Sequence, residues 1–492
     1  MKKINEIAEE SDKAISCENQ RDIERLIRDL EIRLKTNSPV IEKCYCHYIL
    51  GNLYSGHSRL LKEDASGWRN DNFPKNLTSE INHLRLAEAL ISAHGQIDAD
   101  AIRTNLANAL SKQRRNIEIL DYWKCDFTVQ GDASFVSSIS KARELLWISH
   151  WLNDPSHTHL YQYEAYLLLQ ELQKHISKKD HSEVINLFNT NTEVINLLEM
   201  GGELFSPLEN LGKTSDEIKY ANKEKEYRAW CLKNRLFANP VNDLTTEWFA
   251  ARDILQFPNY KVRVGDGPYL SAAFSSLKRE YCFARFMAYE GIHKIHPTFE
   301  NEKLFLTNTL DYVHYSGSIE KIKTSFRICF SVFDSIAFLL NFYFDCNSKV
   351  VSFSSRWIKD NFKDKEGNYF IDALYWLACD LTDNPELTSN PIKWKAPNPC
   401  AAEIRKIRNA IEHGWLRVAE QDSGIWNASS DFAHIVTPGT LQKHTLFVLK
   451  LVRAAMLYLC MAVTYNEKST AKSESFIPTN PILLVDDDLI SL

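Results

Sequence analysis

Residues 400–415 read CAAEIRKIRNAIEHGW, and the rest of the chain is best interpreted outward from them. Apolar residues recur at helical spacing in this stretch, which predicts an amphipathic helix. Within it, Arg408 is followed at once by Asn409 and, five positions on, by His413. Arginine is permanently cationic and suits phosphate oxygens, whereas histidine can move a proton near neutral pH. The stretch therefore predicts a helix whose polar residues could act on a phosphodiester.

The spacing of these polar residues limits that interpretation. Positions five apart on an α-helix lie about 140° apart around its axis, so His413 shares a face with Asn409 rather than with Arg408. Arg408 instead lies one turn from Glu412. The plainest alternative is therefore an ion pair between Arg408 and Glu412, with Asn409 and His413 as ordinary polar residues of a solvated face. Spacing alone favours this alternative over a catalytic site.

The composition restricts the class of protein. The chain has 492 residues, 44% of them hydrophobic and 25% charged, with only 16 glycines and 15 prolines. Long helices and two or three domains are expected from these values. The net charge of -6 gives no general attraction to nucleic acid, so RNA contacts need a local basic patch. Eleven scattered cysteines and a start without an apolar signal segment predict a cytoplasmic protein.

The longest apolar run, Leu446 to Val463, is nearly long enough to cross a membrane. Lys450 and Arg453 interrupt this run, and charged residues inside a membrane are costly. A buried core helix is therefore predicted in place of a membrane span. No membrane partner is expected.

The N-terminal part of the chain, residues 1–200, shows repeated helical spacing. Residues 50–54 fit the Leu-Gly-x-x-Tyr core of a tetratricopeptide helix, and residues 104–110 with 116–123 resemble a tetratricopeptide helix pair. In that pair, the small Ala107 stands at the close-packing position. Such pairs stack into a curved array that binds partners, and a generic helical bundle is the alternative.

The C-terminal part of the chain predicts four long helices, at residues 269–290, 319–344, 400–415 and about 441–463. Their length and hydrophobicity are typical of an up-and-down bundle, with a long insertion between the second and third helices. The predicted fold class is all-α. The predicted domains are a repeat array at 1–200, a linker at 201–245, a bundle domain at 246–466 and a tail at 467–492.

Arg408-Asn409-x-x-x-His413 on the third helix of such a bundle resembles the Arg-x4-6-His motif of HEPN domains. These domains are nucleotide-binding and ribonuclease modules of prokaryotic toxins and antiviral systems, and a polar residue often follows the motif arginine. The flanking residues 239–240 and 277–281 look most similar to the LA2681-like HEPN group, which occurs joined to tetratricopeptide repeats. The resemblance covers roughly residues 239–464.

The resemblance implies endoribonuclease chemistry without a metal or other cofactor, in a toxin or antiviral effector. An RNA 2′-hydroxyl would attack its adjacent phosphate and leave 2′,3′-cyclic phosphate ends. His413 is the candidate acid/base, Arg408 the candidate phosphate clamp and Asn409 an orienting hydrogen-bond partner. Members of the family generally dimerise across this motif, which implies a homodimer in which one protomer's His413 acts as base and the other copy's as acid.

Other residues are candidates for supporting roles. Asp334, Glu280 and Glu412 are expected either to hold a catalytic side chain or to be structural, with Arg408 or Arg405 as the partner of Asp334. A local RNA-binding patch is expected from five cationic residues, Lys393, Lys395, Arg405, Lys406 and Arg417. Trp394 and Trp415 could stack on unpaired bases, although Trp415 is expected in the core.

No metal site is predicted, because His157 with His159 and His293 with His296 lack a carboxylate or cysteine set that would complete one. The main alternative to a ribonuclease is a non-catalytic module that binds a nucleotide or RNA while the repeats bind another protein. A third hypothesis is an enzyme that stays silent until a protein or small-molecule trigger binds the N-terminal repeats.

Overall fold

A computed structural model describes residues 4–70, 72–91, 99–123, 132–176, 196, 222–263, 267–293, 303–307, 313–364, 367–381, 396–420, 433–469 and 476–478. The N-terminal helices are α1 (Ile4–Ser16), α2 (Gln20–Leu34), α3 (Val40–Leu60), α4 (Lys75–Ile91), α5 (Ala99–Lys112), α6 (Asp132–Ser149) and α7 (Pro155–Ile176). The later helices are α8 (Asn222–Lys233), α9 (Tyr269–Ile292), α10 (Gly317–Tyr343), α11 (Ser355–Phe362), α12 (Tyr369–Leu381), α13 (Ala401–His413) and α14 (Pro438–Ser469).

The strands of the described chain are short, namely β1 (Lys261–Arg263), β2 (Leu416–Val418), β3 (His434–Val436) and β4 (Phe476–Pro478). β1 pairs antiparallel with β4, and β2 pairs parallel with β3. Helices dominate the structure, which confirms the all-α prediction.

The first helices pack as their apolar periodicity predicts. α2 begins after Asn19, whose side-chain oxygen accepts from the backbone N–H of Asp22, and its apolar face is buried against α1 and α3. α3 and α4 approach each other closely at Gly51, where an added Cβ would lie 2.7 Å from Leu84 Cγ. Only glycine leaves room for that contact.

Residues 116–122 form consecutive turns, so the prediction of a second helix at 116–123 is wrong. The backbone N–H of Ile117 donates to the hydroxyl of Tyr458 on α14, 3.1 Å away, instead of to a carbonyl within a helix. Ile119 and Trp123 are buried in the main core. Contact with a distant helix therefore decides the backbone conformation here, and the tetratricopeptide assignment stays a prediction.

One hydrophobic core runs from the N-terminal helices into the C-terminal bundle. α12 lies inside it, with every residue from Phe370 to Leu381 buried. Trp376 Nε1 donates to the carbonyl of Ala65, and Trp68 Nε1 donates to Asp372. Many residues of 231–244, which the sequence predicts to be part of a linker, are also buried in this core. The N-terminal helices and the bundle are thus packed into one body.

The carboxylate of Asp380 is the buried charge that joins these parts. Arg85 of α4 donates to its two oxygens at 2.7 and 2.8 Å, and Arg115 also donates to it. Burial raises the pKa of Asp380, but the charges of Arg115 and Arg85 outweigh burial, so the pKa lies below its usual value. The side chain is therefore ionised and fully paired at neutral pH.

The four helices predicted for the bundle are present as α9, α10, α13 and α14. α9 packs along α10, and α14 packs against α9, α10 and α12. By length and composition, α10 and α14 could each cross a membrane, with 56% and 83% of their most apolar windows buried in the structure. In α14, Arg453 is buried with Asp243, at 2.7 and 2.9 Å. α14 forms the centre of the core.

We expect Asp380→Ala to lower the free energy of unfolding by about 3–5 kcal/mol, because Arg85 and the fully buried Arg115 both lose the carboxylate of Asp380. Asp360→Ala is the matched control, since Asp360 pairs with Arg356 at 3.9 Å on the surface and its loss should cost less than about 1 kcal/mol. Urea denaturation of the purified chains measures both values. Equal stabilities of the two variants would contradict the role of Asp380.

Candidate functional site

One face of α13 packs against the core, and the opposite face is largely exposed to solvent. Its buried residues are Ala401, Ile404, Ile407 and Ala410, three positions apart, and the helix packs on α10 and α12. Its first residues follow Asn398, whose side-chain oxygen accepts from the backbone N–H of Cys400 at 3.0 Å. The remaining face carries the polar residues singled out in the sequence.

An open cleft of about 530 Å³ lies between α10 and α13. From α13 it is lined by Arg408, Asn409, Glu412 and His413, and Asp334 of α10 faces them. The cleft therefore brings together the three residues predicted to be catalytic and two of the three predicted to support them. Although Arg408 and His413 lie on different sides of the helix, the cleft is wide enough to reach both.

Arg408 is held from the side of α10. Its Nη2 lies 3.8 Å from Asp334 Oδ2, and its Cζ lies 4.6 Å from the centroid of the Phe330 ring. The other oxygen of Asp334 accepts from the backbone N–H of Phe353 at 2.9 Å, which fixes the carboxylate. The Arg408 side chain stays 40% exposed. A positioned guanidinium with donors open to the cleft suits a phosphate group.

Glu412 pairs with Arg327 of α10, at 3.3 Å between Nε and Oε1. Arg327 also donates from Nη2 to the carbonyl of Ile411 at 3.0 Å, near the end of α13. The expected alternative, an ion pair between Arg408 and Glu412, is wrong because α10 supplies each of them with a different partner. The sequence pattern does not identify Arg327 as a site residue. It lies seven residues before Asp334, on the same face of α10.

His413 is the last residue of α13 and is exposed to solvent, as is Asn409 one turn earlier. Gly414 follows His413 and ends the helix. An exposed imidazole at the edge of an open cleft can reach a bound substrate without a change in the fold. The geometry therefore permits proton transfer at this position.

Two of the cationic residues predicted to bind RNA, Arg405 and Lys406, are exposed on α13. Arg417 is only 3% exposed on β2, so it cannot belong to an open RNA-binding surface, and that prediction is wrong. Lys393, Trp394 and Lys395 lie outside the described residues. Burial along β2, whose three residues are all buried, explains the position of Arg417.

Glu280 and Trp415 lie differently from what the sequence suggests. Glu280 is half-buried on α9 and is not among the described residues that line the cleft. Trp415 is 37% exposed, so its expected place in the core is wrong. It follows Gly414 at the end of α13, and its carbonyl accepts from the backbone N–H of His434.

Among the described residues that line the cleft, arginines and carboxylates are equal in number, so their charges cancel. Arg327 and Arg408 face Asp334 and Glu412, and His413 stands beside them. Local positive charge therefore comes from the exposed Arg405 and Lys406 on α13. Among the described residues, the one group of three side chains placed to hold a metal includes Cys400, outside this cleft.

We expect Arg417→Ala to lower the free energy of unfolding by about 1–3 kcal/mol, because the buried Arg417 side chain fills space that alanine would leave empty. Lys406→Ala serves as the control, since Lys406 is exposed on α13 and a surface substitution there should stay within about 0.5 kcal/mol. Thermal and urea unfolding followed by circular dichroism measure the difference. Equal stability of both variants would indicate that the Arg417 side chain is not buried.

Residues 262–466 match the family model described as LA2681-like HEPN. The match contains α9, α10, α13 and α14, and so both helices that form the cleft. No curated protein and no solved structure matches the chain. HEPN domains include ribonucleases and nucleotide-binding modules, which agrees with a cleft that offers arginine and histidine. Residues 262–466 of this chain are thus similar to the LA2681-like HEPN family.

Proposed function

We propose that the protein is a metal-independent endoribonuclease that leaves 2′,3′-cyclic phosphate ends, in a toxin or antiviral defence role. The observation that carries the proposal is that Arg408, Asn409 and His413 line one open cleft in an HEPN domain. The cleft is open to solvent and can admit a flexible single strand. RNA supplies its own nucleophile, so the protein needs only a proton acceptor, a proton donor and a cation.

Arg408 fits the role of the cation. Phe330 and Asp334 hold its guanidinium from one side, and its exposed donors can bind two oxygens of a phosphodiester. Negative charge grows on those oxygens when the 2′-hydroxyl attacks, and a positioned cation stabilises it. Because Asp334 is itself fixed by the backbone of Phe353, Arg408 is oriented before the substrate arrives.

His413 fits the role of the proton carrier. In the first half of the reaction, its neutral imidazole accepts the proton of the 2′-hydroxyl while the new P–O bond forms. A second group must donate a proton to the leaving 5′-oxygen. Each chain brings one His413 to the cleft, so a homodimer with facing clefts supplies both the base and the acid. Asn409 can orient the bound phosphate by hydrogen bonding.

The surface beside the cleft supports self-association through the HEPN domain. Phe338 lines the cleft and is exposed, and Phe342, one turn later on α10, is 59% exposed. Adjacent exposed aromatic side chains are typical of protein contacts, and a two-fold dimer covers the same patch on both copies. A second copy there would also bring a second His413 towards the first.

The shared core favours regulation through the N-terminal helices. α12 packs against α13. Its side chains Asp380 and Asp372 also accept hydrogen bonds from arginines of the N-terminal part. A protein or small molecule that binds the N-terminal helices could therefore shift α13 through α12. The same core means that removing residues 1–200 would expose α12, so point substitutions are the better probe of regulation.

We expect the purified protein to cleave single-stranded RNA in excess EDTA, with Arg408→Ala and His413→Ala each lowering the rate by about 10²–10⁴-fold. Labelled RNA on denaturing gels gives the rate, and mass spectrometry of the products identifies the cyclic phosphate. His159→Ala and Arg279→Ala are the controls, since both residues are exposed and lie outside the cleft.

Equal cleavage by the wild type and both cleft variants would refute this function. RNA binding that persists in both variants, with no cleavage under any condition, would instead support a non-catalytic binding module.

Phe342→Glu should weaken the dimer, because a charge replaces exposed apolar surface at the contact. We expect its cleavage rate per chain to fall at low protein concentration and to recover at high concentration. Analytical ultracentrifugation with matched activity assays measures both. Ile32→Glu, on α2, changes an equally exposed residue and is the control. A monomeric wild type that is fully active would exclude the dimer.

A further inference from the structure

A cluster of side chains that bind metals lies at the first turn of α13, at the other end from His413. Cys400 precedes the helix, Glu403 lies in its first turn and His444 reaches in from α14. One ligand atom from each, the thiol sulfur, a carboxylate oxygen and a ring nitrogen, lies within 4.8 Å of the others. His444 Nε2 is 3.0 Å from Glu403 Oε2. Three donors therefore converge from two separate segments of the chain.

The donors stand on rigid parts of the structure. The backbone N–H of Cys400 donates to the side chain of Asn398, and Asn398 Nδ2 donates to the carbonyl of Asp380 at 3.1 Å. The side chain of His444 is only 5% exposed, inside the longest helix of the described chain. Small side-chain rotations would bring these atoms to tetrahedral distances around a zinc ion.

We propose that Cys400, Glu403 and His444 bind a zinc ion. A thiolate and a carboxylate together carry two negative charges, which balance Zn²⁺. Sulfur and imidazole donors favour zinc over magnesium or calcium, which prefer oxygen. Binding replaces the thiol proton of Cys400 with the metal and releases that proton to solvent.

The zinc would act on structure and not on the reacting atoms. α13 has 13 residues, so the cluster lies roughly 20 Å from His413 along the helix. A bound ion would fix the start of α13 to α14. The inference stands on these contacts alone and does not depend on the proposed ribonuclease activity.

The test uses the full chain, stripped with a chelator and then loaded with Zn²⁺ or Co²⁺. We expect one zinc per chain by inductively coupled plasma mass spectrometry, and a thiolate-to-cobalt charge-transfer band in the near ultraviolet. Cys400→Ser should abolish that band and weaken zinc binding by at least about tenfold. Cys17→Ser is the matched control, because Cys17 is an exposed thiol far along the chain from the cluster.

His444→Gln separates the two kinds of ligand. It should weaken zinc binding while the cobalt–thiolate band remains, and circular dichroism confirms that the variant folds. A wild type that binds no stoichiometric zinc, or a cobalt band that survives Cys400→Ser, overturns the assignment. If Cys400→Ser fails to fold, Glu403→Gln takes its place, and unchanged zinc affinity in that variant overturns the assignment as well.

Discussion

The buried carboxylate of Asp380 sets the architecture of this protein. A charge without water is very costly, so Asp380 can lie in the core only because Arg85 and Arg115 both reach it from the N-terminal part. Because Asp380 belongs to α12, these two ion pairs hold α12 between the N-terminal helices and the bundle. The two parts of the chain consequently share one core.

The site follows from this packing. α13 contacts α12 and α10 through a narrow apolar face, which fixes the helix and leaves its polar face in solvent. Arg408 is positioned by groups of α10, which keep its guanidinium in place without burying it. A rigid scaffold with exposed cationic and proton-carrying groups is what acid–base chemistry on a large, flexible substrate requires.

The two ends of α13 differ in chemistry. Its last turn faces the open cleft with His413, whereas its first turn lies beside His444, which is buried, and Cys400, which is half-buried. Burial explains the difference, because donors shielded from water can hold an ion, whereas exposed polar groups can contact a substrate. One short helix thus carries both the proposed zinc site and the proposed reactive site.

The sequence by itself determined the helices of the bundle and the motif of Arg408 and His413, because helical periodicity and local motifs are encoded by residues close in the chain. Tertiary structure alone decided that Arg408 pairs with Asp334 instead of Glu412, and that Arg417 is buried. It also decided that His444 meets Glu403, 41 positions earlier. Periodicity shows which residues share one helix face, but contacts between distant segments depend on how the helices pack, which no local pattern records.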